Sequence, residues 1–541
     1  MNKKTHGMTL SVLTVLLVAC QEGSSILSSS SLGSSSEDWK VIYDVQPTSP
    51  DFLTDVSSCY QIFPYAFADS NDDGIGDLNG ITENLDYLSE TLGVDCIWLT
   101  PIHPSPSYHK YDVTDFYRID PVFGTMAHYQ NLLTQAEAKG IRVLMDLVIN
   151  HTSSQHPWFI NASIGPAASY HDFYRWLTPT QLASYPNKAS WYLKNGLYYF
   201  ASFWSEMPEL NYENPLVREE IKKIVDFWLD QGVDGFRIDA AKHIYDVAEY
   251  LPGTTTYQEN INYFREFNHF VKENNPDAFV VGEVYTLGAS FTSKFYQGMD
   301  SAFNFDFADK IIQALQSNSA SGLVNNYLNA QTLYANERTH PIDSIFLTNH
   351  DQDRLADQAG FEMNKLKLAV QVTSTVPGIT WIYYGEELGM GGSKPDNNIR
   401  QPFKWSVEDT QYQTQSGTSL GAWGTYNLNL NGVLEQVNDP TSLLNHYQHW
   451  LNVRGSNPIL SQGVMLPFTS PRNDVMMYRL QLDQETVLVL HNFSNSLITL
   501  NHEINEASLI EGEGLNENTI ELSPYGSMVL SIESNITSLT L

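Results

Sequence analysis

Four segments of the sequence end a run of apolar residues with polar or charged side chains. The segments "DLVINH", "GFRIDAAKH", "VVGEVY" and "FLTNHD" supply Asn150 and His151, Arg237 and Asp239, Glu283, and His350 and Asp351. Arg237 and Asp239 are two positions apart, so they lie on one face of a strand. Carboxyl and imidazole groups are the side chains that most often transfer protons in catalysis. A single acid at a strand end is commonly a helix cap, but four such segments together predict an active site.

The segment "DSNDDGIGDLNGI" at residues 69–81 carries oxygen donors at alternate positions, which is typical of a site for a hard cation. The donors are Asp69, Asn71, Asp73 and Asp77. Gly74 allows a tight turn among them. The twelfth position is Gly80 rather than the bidentate Glu of an EF-hand, and the preceding "CYQIFPYAFA" reads as a strand. The alternative is an Asp/Asn-rich turn without a metal.

Eight short apolar runs alternate with helix-like segments along the chain. They are "CYQIFPYAFA", "VDCIWLTPI", "IRVLMDLVINH", "VDGFRIDAA", "AFVVGEVY", "SAFNFDF", "SIFLTNHD" and "ITWIYYGEEL". Near-continuous apolar strands are typical of a parallel sheet covered on both faces. Eight strand-helix units predict an α/β fold, a (β/α)8 TIM barrel whose carboxyl ends would gather the polar segments at one mouth. An open doubly wound sheet is the alternative.

The barrel is predicted to occupy residues 44–151 and 215–458. Between these segments, residues 152–214 form a connection too long for a simple loop, which predicts an inserted domain after the third strand. From residue 459 to 541 the pattern changes to alternation and turns, as in "DVMMYRLQL" and "TVLVLHNFS". That pattern predicts a C-terminal antiparallel β-sandwich.

Residues 1–20 have the features of an export signal, with two lysines followed by an apolar stretch too short to span a bilayer. The stretch ends in "LVAC", which resembles the lipobox of bacterial lipoproteins and implies acylation of Cys20. The Ser-rich residues 21–43 would be a flexible tether. We therefore expect an exported lipoprotein at the cell surface or outer membrane, held by its lipid anchor alone. Ordinary secretion is the alternative.

The formal charge of −33 restricts the partners of the chain. A strongly acidic surface disfavours nucleic acid and anionic lipid, because both repel negative charge. A neutral polymer such as a sugar or a peptide stays open, and we expect a monomer. Cys59 and Cys96 fall in successive strands and could be neighbours, but sequence alone does not give the geometry of a disulfide. Buried free thiols are expected.

In order and spacing, the four strand-end segments resemble the four signature regions of the α-amylase family of glycoside hydrolases. "MPELN" at residues 207–211 resembles the fifth region of that family. The resemblance runs from about residue 44 to the C-terminus. It implies a retaining hydrolase acting on α-glucans, namely starch, glycogen and maltooligosaccharides.

The resemblance assigns catalytic roles to three acids. Asp239 would be the nucleophile, Glu283 the general acid and then the base, and Asp351 the residue that holds the 2- and 3-hydroxyls of the sugar. A retaining mechanism needs two carboxyl groups about 5–5.5 Å apart. Arg237 would keep Asp239 ionised, and the charge of Asp239 would raise the pKa of Glu283.

The resemblance also implies a substrate-binding set. It comprises Tyr111 under the sugar ring, Asp112 beside it, Arg237, His151 and His350 as hydroxyl donors, Arg400, and Lys242 and His243 on the leaving-group side. Lys110 stands where relatives usually carry Gly. The metal loop would bind structural Ca²⁺ through the side chains of Asp69, Asn71, Asp73 and Asp77 and the carbonyl of Ile75, with magnesium as the alternative. A second calcium site would also need acids from the inserted segment, where residues 152–207 carry only Asp172 and Glu206.

Two motifs indicate an enzyme intermediate between subfamilies. "AAKH" is typical of α-amylases, whereas "MPELN" resembles the "MPDLN" of oligo-1,6-glucosidases. We expect an endo-acting α-amylase. The alternatives are an α-glucosidase, a neopullulanase-like hydrolase or a transglycosylase of the same family, and a catalytically silent starch-binding protein.

Overall fold

The computed structural model describes residues 42–48, 50–185, 188–245, 257–415, 425–502, 504 and 507–532. The signal peptide, Cys20 and nearly all of the tether lie outside the described residues, so the lipid anchor stays a prediction. Among the described helices, none combines the length and the apolar character needed to cross a membrane.

Eight parallel strands form a closed barrel, and each coincides with one of the eight apolar runs of the sequence. With the three strands of the inserted segment, the strands in chain order are β1 (Ser58–Ile62), β2 (Cys96–Leu99), β3 (Arg142–Leu147), β4 (Trp176–Leu177), β5 (Trp191–Lys194), β6 (Leu197–Phe200), β7 (Gly235–Ile238), β8 (Phe279–Gly282), β9 (Ser301–Phe303), β10 (Ile342–Phe346) and β11 (Ile379–Tyr383). Around the barrel the order is β1-β11-β10-β9-β8-β7-β3-β2. The prediction of a TIM barrel is confirmed.

Helices connect the strands and cover the barrel. They are α1 (Pro50–Asp55), α2 (Pro64–Phe67), α3 (Leu78–Glu83), α4 (Met126–Ala138), α5 (Pro157–Ala162), α6 (Pro179–Ala183), α7 (Pro215–Asp230), α8 (Tyr257–Asn274), α9 (Ala289–Phe295), α10 (Phe305–Ser317), α11 (Leu323–Ala335), α12 (Leu355–Gln358), α13 (Met363–Thr375), α14 (Asp396–Ile399), α15 (Thr425–Leu428), α16 (Val433–Val437), α17 (Leu443–Ser456) and α18 (Ile459–Gln462). The start of α7 shows how sequence sets these bounds. Asn214 caps it by accepting the N–H of Leu216 at 3.0 Å, and Pro215 occupies the first turn, where no N–H is needed.

The interior of the barrel is a packed layer of apolar side chains, including Trp98, Phe303 and Trp381. Cys59 and Cys96 lie in this layer and form a disulfide. The expectation of free thiols is therefore wrong. Strands β1 and β2 pair in a register that sets the two cysteines opposite each other, with their Cα atoms 4.3 Å apart.

The inserted segment after β3 contains a small antiparallel sheet in the order β4-β6-β5. Two isolated β-bridges involve the last part of this segment. Glu209 pairs with His151 and Leu210 pairs with Tyr174. The backbone N–H of Leu210 also donates to the carbonyl of Asn150 at 3.0 Å. The inserted segment is thereby fixed to the end of β3, beside the barrel mouth.

The C-terminal strands form two antiparallel sheets. They are β12 (Val464–Pro467), β13 (Val475–Leu482), β14 (Glu485–Asn492), β15 (Ile498–Asn501), β16 (Ser508–Glu511), β17 (Thr519–Leu522) and β18 (Ser527–Ser531). One sheet has the order β12-β13-β14-β18-β16, the other pairs β15 with β17, and side chains such as Leu488 and Leu500 from the two sheets share one core. The predicted sandwich is confirmed.

Candidate active site

A cavity of about 580 Å³ opens at the carboxyl ends of the barrel strands. Eight of the residues singled out in the sequence line it, namely Tyr111, His151, Asp239, Lys242, His243, Glu283, Asp351 and Arg400. The three carboxylic acids thus share one cavity although they are far apart in the chain. The closed barrel brings them together, because all its strands are parallel and end at one rim.

Arg237 joins two of these acids. Its Nη1 donates to Asp239 Oδ1 at 2.8 Å, and its Nη2 lies 2.9 Å from Glu283 Oε2. The guanidinium is completely buried, so it faces the carboxylates without competing water. Asp239 and Glu283 follow the neighbouring strands β7 and β8, which places them side by side around one cation.

The turn after β7 supplies a further contact to Glu283. Ala240 has a φ of +48°, a left-handed conformation that is uncommon outside glycine and is found at functional sites. In this conformation the N–H of Ala240 donates to Glu283 Oε2 at 3.1 Å, and the N–H of Ala241 donates to the Glu283 carbonyl at 3.1 Å. The turn therefore fixes both acids relative to each other.

Burial dominates the protonation of the two acids. It raises the pKa of Asp239 and of Glu283, and the attraction of Arg237 limits both increases. The negative charges of Asp239 and Asp351 raise the pKa of Glu283 further. From the sequence, Arg237 was expected to keep Asp239 ionised. The structure shows Arg237 acting in that direction, but desolvation outweighs it.

Asp351 lies in a different electrostatic environment. Its side chain keeps 44% of its exposure, with Oδ1 2.7 Å from Arg400 Nη2 and Oδ2 3.1 Å from His350 Nε2. Desolvation opposes its ionisation, but the attraction of His350 and Arg400 prevails and lowers the pKa of Asp351 to about 2. Arg400 is fixed in turn by the carbonyl of His350, to which its Nε donates at 2.8 Å.

Tyr111 stands on a buried polar network beneath the cavity. Its hydroxyl donates to Asp146 Oδ2 at 3.0 Å and lies 2.7 Å from His350 Nε2, and its ring stacks on that of His350 at 5.3 Å. Asp146 also accepts from Arg237 Nη1 at 2.9 and 3.0 Å. Desolvation raises the pKa of Asp146 to about 7, although Arg237 opposes it. The sequence analysis missed Asp146, which lies inside the strand "RVLMDL".

Three members of the predicted substrate-binding set do not line the cavity. Arg237 lies below the acids, and His350 is engaged by Tyr111 and by Gln61 Nε2 at 2.7 Å from its Nδ1. Asp112 is buried and accepts from Ser105 Oγ at 2.6 Å and from Ser107 Oγ. These residues support the lining rather than form it.

Burial lowers the pKa of two histidines near the cavity. Desolvation lowers the pKa of His151 to about 4 and that of His350 to about 3. His151 Nε2 lies 3.1 Å from the Tyr111 carbonyl, which ties the end of β3 to the loop after β2. His243 and His151 both lie beside Phe203, with ring centres 5.0 and 5.7 Å from the centre of its ring.

Exposed aromatic side chains border the cavity. Phe203 and Trp204 come from the inserted segment and keep 50% and 46% of their exposure, and Tyr285 after β8 keeps 56%. Lys242 Nζ donates to the Tyr285 carbonyl at 2.8 Å. Tyr285 lies two residues after Glu283 in "VVGEVY". Alternate residues of an extended segment share a face, so this spacing could have indicated Tyr285 as a second cavity residue.

The predicted metal loop folds around its own backbone. Asp69 accepts from the N–H groups of Asn71, Asp72 and Gly74 at 3.0, 2.8 and 2.6 Å, and Asp77 accepts from Ser70 N at 2.9 Å. Nowhere in the described residues do three or more His, Cys, Asp or Glu side chains form a group that could hold a metal ion. The hard oxygen donors suit calcium by their chemistry, but this structure does not bring the acids of the loop together as a ligand shell.

Comparison with known proteins gives one consistent family. The family model described as "Alpha amylase, catalytic domain" matches residues 61–463. The chain is 41% identical over 484 residues to "Alpha-amylase 3" of Dictyoglomus thermophilum, covering 87% of this chain and 92% of that protein. It is 32% identical to a "4-alpha-glucanotransferase" of Thermotoga maritima, covering 80% of this chain and 95% of the relative.

Among solved structures, the α-amylase from H. orenii superposes with a TM-score of 0.81. The two chains are 35% identical, and the match covers 88% of this chain and 100% of the other.

Proposed function

The chain belongs to the alpha-amylase family of glycoside hydrolases, and from that premise we propose that it is a retaining, endo-acting α-amylase. Its substrates would be the α-1,4-glucosidic bonds of starch, glycogen and maltooligosaccharides. The observation that carries the proposal is the arrangement of Asp239, Glu283 and Asp351 around one cavity, with Arg237 between the first two. A neutral polymer also suits a chain with a charge of −33.

In the first step, Asp239 would attack the anomeric carbon of the sugar. Arg237 engages Oδ1, so Oδ2 is the oxygen expected to form the new bond. The bond to the leaving sugar oxygen breaks as Glu283 gives that oxygen its proton. Burial and the nearby negative charges raise the pKa of Glu283, which keeps the required proton available.

In the second step, Glu283 would take a proton from water, whose oxygen then displaces Asp239. Two inversions return the anomeric carbon to its original configuration. Asp351 would accept hydrogen bonds from the sugar hydroxyls, because its pKa of about 2 keeps it ionised. Arg400 orients Asp351 through the contact of 2.7 Å between its Nη2 and Asp351 Oδ1.

Three measurements test this proposal with the full chain. Soluble starch should lose iodine staining before much reducing sugar appears, maltoheptaose blocked at its non-reducing end should be cleaved, and polarimetry should show release of the α-anomer. Release of glucose alone from free ends, or of the β-anomer, would contradict the proposal.

A transglycosylase is the second candidate. The observation that favours it is the exposed aromatic border of the cavity, formed by Phe203, Trp204 and Tyr285, because aromatic faces bind sugar rings and could retain an acceptor. One relative carries the name of a glucanotransferase. Longer products from maltotriose at high concentration would support transfer over hydrolysis.

We also propose calcium as a structural ligand of the loop at residues 69–81. Support comes from the oxygen donors at alternate positions and from Gly74, whose φ of +89° allows the turn. Bound calcium would neutralise the acids of the loop, and no step of the reaction passes through it.

The location of the protein is a proposal from the sequence alone. The "LVAC" segment and the Ser-rich tether support an exported lipoprotein acylated at Cys20, with its globular part in water. Mass spectrometry of the mature N-terminus tests this, and an unmodified N-terminus beyond Cys20 would contradict it.

A further inference from the structure

Lys110 lies in an unusual position beside the candidate active site. It belongs to the long connection between β2 and α4 and directly precedes Tyr111 and Asp112. Its φ is +66°, a left-handed conformation that glycine adopts more readily than lysine does. Its side chain is also buried, with 7% of its surface exposed. A buried lysine in this conformation requires compensating interactions.

The ammonium group of Lys110 makes its compensating interactions within the same connection. Nζ lies 2.8 Å from Asp120 Oδ2, donates to the Ser105 carbonyl at 3.2 Å, and sits 5.7 Å from the centre of the Phe123 ring. Both members of the ion pair are nearly inaccessible to solvent, at 8% and 11% of side-chain exposure. Water therefore screens their attraction weakly.

Asp120 is hydrogen-bonded to residues near both ends of the connection. Its Oδ2 accepts from the N–H of Ser105 at 3.2 Å, and its Oδ1 accepts from the N–H of Val122 at 3.0 Å. Its own N–H donates to the Ile102 carbonyl at 2.8 Å. The ion pair thus ties the middle of the connection to the segments where it begins and ends.

The positions of the residues that follow Lys110 depend on this ion pair. Ser105, which is held by both Lys110 and Asp120, donates through Oγ to Asp112 at 2.6 Å. The Tyr111 ring stacks on His350 under the cavity, and its carbonyl lies 3.1 Å from His151 Nε2. A shift of the turn at Lys110 would move the tyrosine relative to the three acids.

We propose that Lys110 and Asp120 form a positioning pair that fixes the turn presenting Tyr111 to the sugar ring at the cleaved bond, an inference that rests on the proposed hydrolase function. The pair does not touch the substrate. It stabilises a left-handed conformation that lysine adopts less readily than glycine does.

Replacing Lys110 tests the proposal in the full chain. K110M removes the charge and keeps the aliphatic stem, and K110G relieves the left-handed conformation but also removes the ammonium. In both variants kcat on maltoheptaose should fall about ten-fold, because a small displacement of a positioned group slows the chemical step, while KM should change less than two-fold. K110R should recover most of kcat.

Asp120 provides the matched half of the test. D120N should lose kcat to the same degree as K110M, and the double variant should lose no more than either single variant, because both changes break one interaction. K139M is the control, since Lys139 pairs with Asp86 on the surface, and it should keep wild-type kcat. Wild-type kcat in folded K110M or K110G would overturn the proposal.

A second measurement does not depend on turnover. Hydrogen exchange of peptides covering residues 103–120 should be several-fold faster in K110M than in wild type, with other regions unchanged. Unchanged exchange there would also overturn the proposal. A wild type that cleaves no α-glucan would refute the proposed function instead, and the exchange measurement would still decide whether the pair holds the turn.

Discussion

At the scale of single residues, the charge balance of the cavity depends on Arg237. One buried guanidinium contacts three carboxyl groups, those of Asp146, Asp239 and Glu283. A single positive charge cannot neutralise three buried carboxylates, so we expect at least one of them to hold a proton near neutral pH. Glu283 suits this role, because burial raises its pKa and the charges of Asp239 and Asp351 raise it further.

The first prediction concerns Asp239. D239N removes the nucleophile but keeps the size of the side chain, so kcat on soluble starch should fall by at least about a hundred-fold. The fold should persist, as circular dichroism would show. D226N is the matched control, because Asp226 is an exposed acid on α7, and it should keep full activity. More than about one hundredth of wild-type kcat in D239N would contradict the assigned role.

The second prediction concerns pH. Glu283 must be protonated to act, and its pKa is raised, so activity should persist above the ordinary carboxyl range of about 4.3 and fall as pH rises through the raised value. On the acidic side, the loss of activity should follow the protonation of Asp239, whose pKa is raised. Asp351, with a pKa of about 2, stays ionised to lower pH. The profile of kcat/KM against pH checks both limbs. A decline that begins near pH 4 would contradict the assignment of Glu283.

At the scale of elements, the strands deliver the acids and the turns after them set their geometry. Gly282 ends β8 immediately before Glu283, and a Cβ atom there would lie 2.1 Å from Met299 Sδ. Met299 is fully buried and cannot move freely. The absence of a side chain at Gly282 therefore lets the end of β8 lie close to Met299, with Glu283 beside Arg237.

The third prediction follows from this close approach. G282A should lower the free energy of unfolding by about 1–3 kcal/mol through overpacking and should also lower kcat by displacing Glu283. G455A is the control, because Gly455 on α17 has open space at its Cβ position, and it should be neutral or slightly stabilising. Urea unfolding and kinetics on maltoheptaose measure both effects. Equal stability and kcat in G282A and wild type would contradict the argument.

The fourth prediction concerns the loop at residues 69–81. Removing calcium with a chelator should lower Tm by a few degrees, roughly the effect of losing a ligand at saturating concentration, and added calcium should restore it. D73A should blunt this response, whereas D72N should not, because Asp72 is outside the proposed ligand set. The rate of hydrolysis at 25 °C should not change. An identical melting curve with and without chelator would refute the proposed metal.

At the scale of the whole molecule, long-range links hold the barrel and its additions together. The disulfide between Cys59 and Cys96 joins β1 to β2 inside the barrel. His491 of the sandwich lies 3.0 Å from Thr375 Oγ1 at the end of α13 and 2.6 Å from Ser527 Oγ, so the sandwich is fixed to the outer helices. The proposed export would place the chain in oxidising surroundings, in which such a disulfide forms.

The fifth prediction tests that disulfide. The double variant C59A/C96A should lose about 2–4 kcal/mol of unfolding free energy, because the crosslink closes a loop of 37 residues in the unfolded chain. Reductant should destabilise the wild type and leave the double variant unchanged. Titration of two free thiols at positions 59 and 96 in the denatured wild type would contradict the disulfide.

The sequence by itself determined the barrel, the inserted segment, the sandwich and the family. The elements are visible in local patterns, since near-continuous apolar runs are typical of buried parallel strands and alternation is typical of antiparallel sheets. The family is visible in the motifs at the strand ends. The types of the three acids also limited the chemistry to acid-base and nucleophilic steps. Their positions at strand ends could be predicted, because the ends of barrel strands meet at one mouth.

The tertiary structure alone decided which groups touch. It showed that Asp146 lies under Arg237, that His350 is engaged by Tyr111 and Gln61, and that Cys59 faces Cys96. Register, burial and long-range electrostatics set these contacts, and all three depend on residues far apart in the chain. Desolvation in particular exists only after folding, so a pKa such as that of Asp239 cannot be deduced from its sequence neighbours.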